Sequence, residues 1–144
     1  MSRSIPLLLL VLTVAAACER RHPPDPRPMV RKALAGVLVY PLSTEVGISA
    51  GEDAAQATLA SVDSVGKVAS WFRRALVSNG WSLQSDITNT DGSVSISATQ
   101  GKRPLWVTLR PRVDGPGTTY TIIGGIVPTD SVPIADTAPK AKTP

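Results

Sequence analysis

The stretch that decides the fold is Asp63-Ser64-Val65-Gly66-Lys67-Val68-Ala69-Ser70-Trp71-Phe72-Arg73-Arg74-Ala75-Leu76-Val77-Ser78-Asn79-Gly80-Trp81. Val65, Val68, Trp71, Phe72, Ala75 and Leu76 recur at the 3.6-residue period of an α-helix and so share one face. Lys67, Ser70, Arg73 and Arg74 fall opposite, which makes the helix amphipathic with one face to bury. Asp63 is the expected N-cap, since its short carboxylate accepts from the unpaired N–H groups of a first helical turn. Gly80 after Asn79 supplies the left-handed C′ position and sets Trp81 to pack on Leu76 in a Schellman motif. Trp71 and Phe72 lie inside the apolar stripe, so they read as core rather than as a ligand box.

Downstream of this helix the period changes to two. Trp81, Leu83 and Ile87 alternate with Ser82, Gln84 and Asp86; Val94, Ile96 and Ala98 with Ser93, Ser95 and Ser97; Leu105, Val107 and Leu109 with Trp106, Thr108 and Arg110. A last strand is expected over Thr118 to Ile123. Asn89-Thr90-Asp91-Gly92, Gln100-Gly101-Lys102 and Asp114-Gly115-Pro116-Gly117 mark the turns, and links this short imply antiparallel neighbours. Upstream, Val37 to Tyr40, Thr44 to Ser49 and Ala55 to Ala60 are expected as weaker strands, interrupted by Pro41 and by Gly51-Glu52-Asp53. The fold class is α+β: an antiparallel β-sheet with one amphipathic helix packed across one face.

The same order of elements resembles a small domain that recurs in bacterial lipoproteins of unknown function. The pieces that carry the resemblance are Tyr40-Pro41 before the first hairpin, Asp63-Ser64, the helix core Trp71-Phe72-Arg73-Arg74-Ala75-Leu76, and Gly80-Trp81, over roughly residues 38–124. The resemblance puts a glycine after Tyr-Pro, where this chain has Leu42. It implies a fold and a location in the cell envelope, and no activity.

The N-terminus points to the same compartment. Met1-Ser2-Arg3-Ser4 is followed by an apolar run from Ile5 to Ala17 and then Cys18, the parts of a secretory signal. Thirteen helical residues reach about 20 Å, short of a ~30 Å hydrocarbon core, and the charged, proline-broken flank from Glu19 to Pro24 prevents extension. Val14-Ala15-Ala16-Ala17-Cys18 resembles a bacterial lipobox, with Ala15 where leucine is usual; the three alanines equally match an ordinary A-x-A site. Both readings cut between Ala17 and Cys18. Cys18 is the single cysteine of the chain, which favours its lipidation over a lone exposed thiol. A diacylglyceryl thioether with a further acyl chain adds about 0.8 kcal/mol per buried methylene, enough for a stable anchor. Glu19 favours the outer membrane by resemblance, because aspartate at that position is the inner-membrane retention signal.

The expected domains are therefore a signal peptide (1–17), a lipidated cysteine and basic proline-rich tether (18–33), an α+β domain (34–125) and a proline-rich tail (126–144), which is expected to be disordered. Formal net charge is +4, and the excess sits in the signal and the tether: residues 19–33 carry Arg20, Arg21, Arg27, Arg31 and Lys32 against Glu19 and Asp25. Beside a membrane, such a cluster attracts anionic headgroups at about 1 kcal/mol per charge; read more plainly, it is a solvated, disordered linker whose charges only keep it soluble. Pro23, Pro24, Pro26 and Pro28 are expected to make the tether a semi-rigid, extended spacer. Residues 34–125 balance seven basic against seven acidic side chains, which with export argues against nucleic acid as a partner.

Catalytic constellations are sparse. His22, the single histidine, lies in the tether, so no Ser-His-Asp triad and no histidine metal site is expected in the domain, and no cofactor is implied. Gly115-Pro116-Gly117 is a turn and Gly124-Gly125 lacks a following helix, so neither cradles phosphate. The chain is expected not to be an enzyme; a pocketed carboxylate pair is the arrangement that would make it a hydrolase. One constellation points to binding. If Leu105, Val107 and Leu109 face the helix, Trp106 lies on the opposite face among Ser95, Ser97, Thr108, Arg110, Thr119 and Thr121. A tryptophan on an open, hydroxyl-rich face stacks on a sugar or anchors a protein, with Arg110 as a donor to an anionic group. Alternatively the tether, the N-terminal hairpin or the tail folds over that face and buries Trp106. The expected function is a lipid-anchored binding or accessory module for another envelope component, with a cell-wall or glycan-binding module using Trp106, Thr108 and Arg110 as the rival.

Overall fold

The structure, a computed structural model, describes residues 24–126. The expected signal peptide, Cys18, Arg20, Arg21 and the tail from residue 127 lie outside the described residues. Two helices and six strands follow in the order α1 (Arg27–Ala33), β1 (Thr44–Ala50), β2 (Ala54–Ser61), α2 (Val65–Ser78), β3 (Ser82–Thr88), β4 (Val94–Gln100), β5 (Arg103–Pro111) and β6 (Thr118–Gly125). All strands pair antiparallel in one open sheet ordered β1-β2-β6-β5-β4-β3. Helix α2 carries the chain from β2 to the far edge, and three short turns bring it back until β6 closes against β2. The fold is α+β.

Both helices lie on the same face. Helix α2 packs on β3, β4 and β5, while α1 packs on β1, β2 and β6. The register stacks the apolar side chains of that face in rows: Ala57, Ile122, Val107 and Ile96 in one, Leu59, Tyr120, Leu109 and Val94 in the next. Phe72 and Val68 of α2 are fully buried over them, each worth about 1.5–3 kcal/mol of apolar burial. Tyr40, Trp71, Phe72 and Tyr120 continue the core as a chain of edge-to-face contacts with centroids 5.0–5.4 Å apart, the geometry that ring quadrupoles favour.

The ends of α2 form as its sequence requires, with one change. The N-cap is Ser64, whose backbone is extended and whose hydroxyl accepts the Lys67 N–H at 3.4 Å. The Asp63 carboxylate is engaged elsewhere, accepting from the Tyr40 hydroxyl at 2.7 Å and from Lys67 Nζ at 2.8 Å. At the other end, Gly80 sits at φ +77°, Trp81 N–H donates to Leu76 O and Gly80 N–H to Val77 O, the two bonds of a Schellman motif.

Five expectations are corrected. The 18–33 spacer is not extended throughout, because residues 27–33 are α1, and one helix becomes two. Prolines are tolerated there because first-turn N–H groups have no helical partner in any case, so Pro28 costs no bond, and Pro26 O accepts Val30 N–H at 2.9 Å. The folded unit thus begins near Arg27 and not at residue 34. Val37 to Tyr40 is not a strand: Tyr40 is buried, its N–H goes to the Tyr120 hydroxyl at 3.2 Å, and Pro41 has no N–H to give a ladder. Ile87 does not share a face with Leu83. The register slips between Leu83 and Ser85, so beyond that bulge the alternation inverts: Asp86 stands opposite Ile96 on the helix face, and Ile87 turns outward. Asp86 there meets Arg73 of α2 in a two-bond ion pair, with Nη2–Oδ1 at 2.7 Å.

Candidate functional site

Because both helices take one face of the sheet, the other face has no cover among the described residues. Gln56, Ile123, Trp106 and Ser97 follow one another across β2, β6, β5 and β4; Thr58, Thr121, Thr108 and Ser95 form the next row, and Ala60, Thr119 and Arg110 the one after. Ser95, Ser97, Thr108, Arg110, Thr119 and Thr121 therefore all share the face of Trp106, as the alternation implies. Trp106 is 46% exposed. The N-terminal hairpin does not fold over it but extends the sheet as β1 and β2, and α1 lies on the opposite side.

The chemistry of this face is uniform. Hydroxyls dominate, and Thr58 and Thr121 share a hydrogen bond at 3.1 Å across β2 and β6. Arg110 is the one charged side chain among its strand positions. Ion pairs among the described residues join Lys67 to Asp63, Arg73 to Asp86 and Arg112 to Asp114, which leaves Arg110 without a bonded carboxylate. The Arg110 charge is felt by the Asp91 carboxylate, whose Oδ1 is committed to the β3–β4 turn. It accepts the Ser93 hydroxyl at 2.6 Å and the Ser93 N–H at 2.9 Å, and these bonds, ahead of the Arg110 charge, hold it below the usual carboxylate range. A shallow cavity of about 450 Å³ opens at Arg110, lined by Thr108, Arg110, Pro111, Val113, Thr119 and Thr121. The structure thus brings Thr108 and Arg110 into one concavity and sets Trp106 beside it along β5.

A second concavity of about 530 Å³ lies on the helix side, between α1 and β1, with Val30, Leu34 and Ile48 as apolar walls and Arg27, Arg31 and Glu45 at its rim. Arg27, Arg31 and Lys32 of α1 are exposed. Glu45 reaches that side because it stands opposite Leu59, before β1 slips register.

Several residues that hold these surfaces in place are not among the sequence-predicted site residues. Arg103 donates to Ala33 O at 3.3 Å and Ala35 O at 2.8 Å, clamping the end of α1 to the sheet, and its guanidinium lies 5.4 Å from the centre of the Trp81 ring. Gly124 lets α1 come close: a Cβ there would stand 2.5 Å from Ala33 O. Gly124-Gly125 at a strand end is the kind of signal that marks a close backbone approach, so its use as a seat for a helix was discoverable in principle. Among the described residues no group of three His, Cys, Asp or Glu could hold a metal ion, and no helix is long and apolar enough to cross a membrane.

A family described as START domain-like matches residues 42–119, from just before β1 to the start of β6, a span that holds most of the open face and all of α2 but not α1. No curated protein and no solved structure gives a significant match.

Proposed function

The chain belongs to the START domain-like family, and from that footing we propose that it is a non-catalytic binding module which engages an extended glycan of the cell envelope with its open sheet face. The observation that carries this reading is the half-exposed Trp106 set among serine and threonine hydroxyls on a six-stranded sheet that, among the described residues, is covered on the other side only. A sugar ring presents an apolar face and a rim of hydroxyls. Trp106 offers the matching plane, and the Thr58, Thr108 and Thr121 row offers donors and acceptors at the spacing of adjacent strands, about 4.8 Å.

In the same reading the module is exported and held by a lipid on Cys18, with Arg20, Arg21, Arg27, Arg31 and Lys32 toward anionic headgroups, in the outer membrane facing the periplasm. Labelling cells with a palmitate analogue tests the anchor. Incorporation that Cys18→Ser abolishes is expected, and a Cys18→Ser protein still in the membrane fraction would show that something other than a thioether retains it.

A protein partner is the second reading, favoured by Ile123 standing directly opposite Trp106, which together make an apolar spot of the sort that anchors interfaces. Intrinsic fluorescence separates the two. Titration with soluble peptidoglycan fragments is expected to perturb tryptophan emission in the native protein and not in Trp106→Phe. An unresponsive native protein overturns the glycan reading and leaves the partner, to be identified by crosslinking in native membranes.

A further inference from the structure

If the open face binds a glycan, its charge is not neutral. We propose that the cavity at Arg110 takes the carboxylate of an acidic sugar belonging to the same glycan chain that stacks on Trp106, so that the module selects acidic over neutral glycans; the inference rests on the glycan reading above.

Three observations on that face converge. Arg110 is its single charged strand residue, and the other described cations with bonded carboxylates, Lys67, Arg73 and Arg112, are satisfied elsewhere. The guanidinium opens into a cavity whose remaining polar lining is Thr108, Thr119 and Thr121, hydroxyls that donate to an anion without competing for it. Asp91, whose charge Arg110 feels through space, spends Oδ1 on the Ser93 hydroxyl and N–H and makes no hydrogen bond or ion pair with Arg110.

The size of the charge follows from the same inventory. One arginine balances one negative charge, and its planar fork matches the two oxygens of a carboxylate. A dianionic group would meet the field of Asp91 with a single cation to offset it. Position follows from the strand. Trp106 and Arg110 are four residues apart on β5 and on the same face, which separates them by about 13 Å. That is too far for one sugar to touch both, so the ligand is a chain whose stacked ring and carboxylate sit in different units.

The test uses a uronic acid tetrasaccharide and its methyl ester, in which the negative charge is removed and a methyl group added, with binding followed by tryptophan emission and by calorimetry. The native protein is expected to bind the acid at least about tenfold more tightly than the ester, the scale of a charge-assisted hydrogen bond. Arg110→Gln should erase that preference while keeping affinity for the ester, and Trp106→Ala should lose both ligands. In the native protein the preference should shrink as salt rises, a measurement that needs no variant. Equal binding of acid and ester by the native protein, or an Arg110→Gln protein that still prefers the acid or loses the ester too, overturns the carboxylate site and leaves the glycan reading standing. Binding of neither ligand, or a Trp106→Ala protein that binds as the native one does, overturns the glycan reading itself.

Discussion

Along β5 two sets of side chains differ by one residue in phase and by everything in environment. Leu105, Val107 and Leu109 are sealed beneath the helices, while Trp106, Thr108 and Arg110 look out from the uncovered face. The covered set is fixed by packing, where each methylene is felt; the open set is free of that constraint. In the proposed reading, stability and recognition fall on opposite sides of one sheet, and substitutions should separate them.

The largest effect should come from the covered side. Phe72→Ala removes the ring at the centre of the aromatic chain and is expected to cost about 3–5 kcal/mol in urea unfolding. A loss below about 1 kcal/mol would mean that the helix is not seated as described. Gly124→Ala, which forces a Cβ against backbone at Ala33, is expected to cost about 1–3 kcal/mol and to raise hydrogen exchange in α1 before the rest of the fold; uniform exchange would contradict the docking.

Leu42 stands at φ +57° and is 98% exposed, a left-handed backbone that costs an L-residue about 1–2 kcal/mol. Leu42→Gly should raise the melting temperature, with the gain trimmed to about 0.5–1 kcal/mol by glycine's freedom in the unfolded chain. A destabilised Leu42→Gly protein would show that the side chain makes contacts of its own.

Acid should weaken the fold gradually. Asp63 is held below the usual carboxylate range by Lys67 and Tyr40, Asp86 by Arg73, Asp91 by Ser93 and Asp114 by Arg112. As pH falls through about 4 the unfolded chain takes up these protons first, so stability present above that pH is lost below it. Exposed pairs contribute little each, and a melting temperature that stays flat from about pH 6 to about pH 3 would show that they contribute nothing. Smallest of all, Trp106→Ala should change stability by no more than about 0.5 kcal/mol while abolishing ligand response. A large loss of stability would sink the separation of the two faces.

How much of this was legible follows from what each element buries. Helix α2 and strands β4, β5 and β6 bury side chains at a fixed period, so Val68, Phe72 and Leu76 or Val94, Ile96 and Ala98 declare themselves within one turn or one pleat. The companions of Trp106 on the open face were readable for the same reason. Helix α1 was not, because its seven residues bury only Ala33 and its seat is Gly124, far along the chain on the last strand. Nor was the slip at Gln84. Nothing in Leu83-Gln84-Ser85 marks it locally, yet it carries Asp86 to the helix side where Arg73 waits. Ile123 beside Trp106, and Val113 at the rim of the Arg110 cavity, depend on how β6 registers on β5, which alternation within either strand does not fix.

The two register slips have a consequence beyond the side chains they re-aim. They fall in β1 and in β3, the two outermost strands of the sheet, and in none of the four between. An open sheet with straight borders invites a second copy to zip onto it and a third onto that. A kinked border offers an interrupted row of N–H and C=O groups that a straight partner strand cannot match. The irregularities that break the pattern of β1 and β3 thus leave both borders poor templates for a further strand.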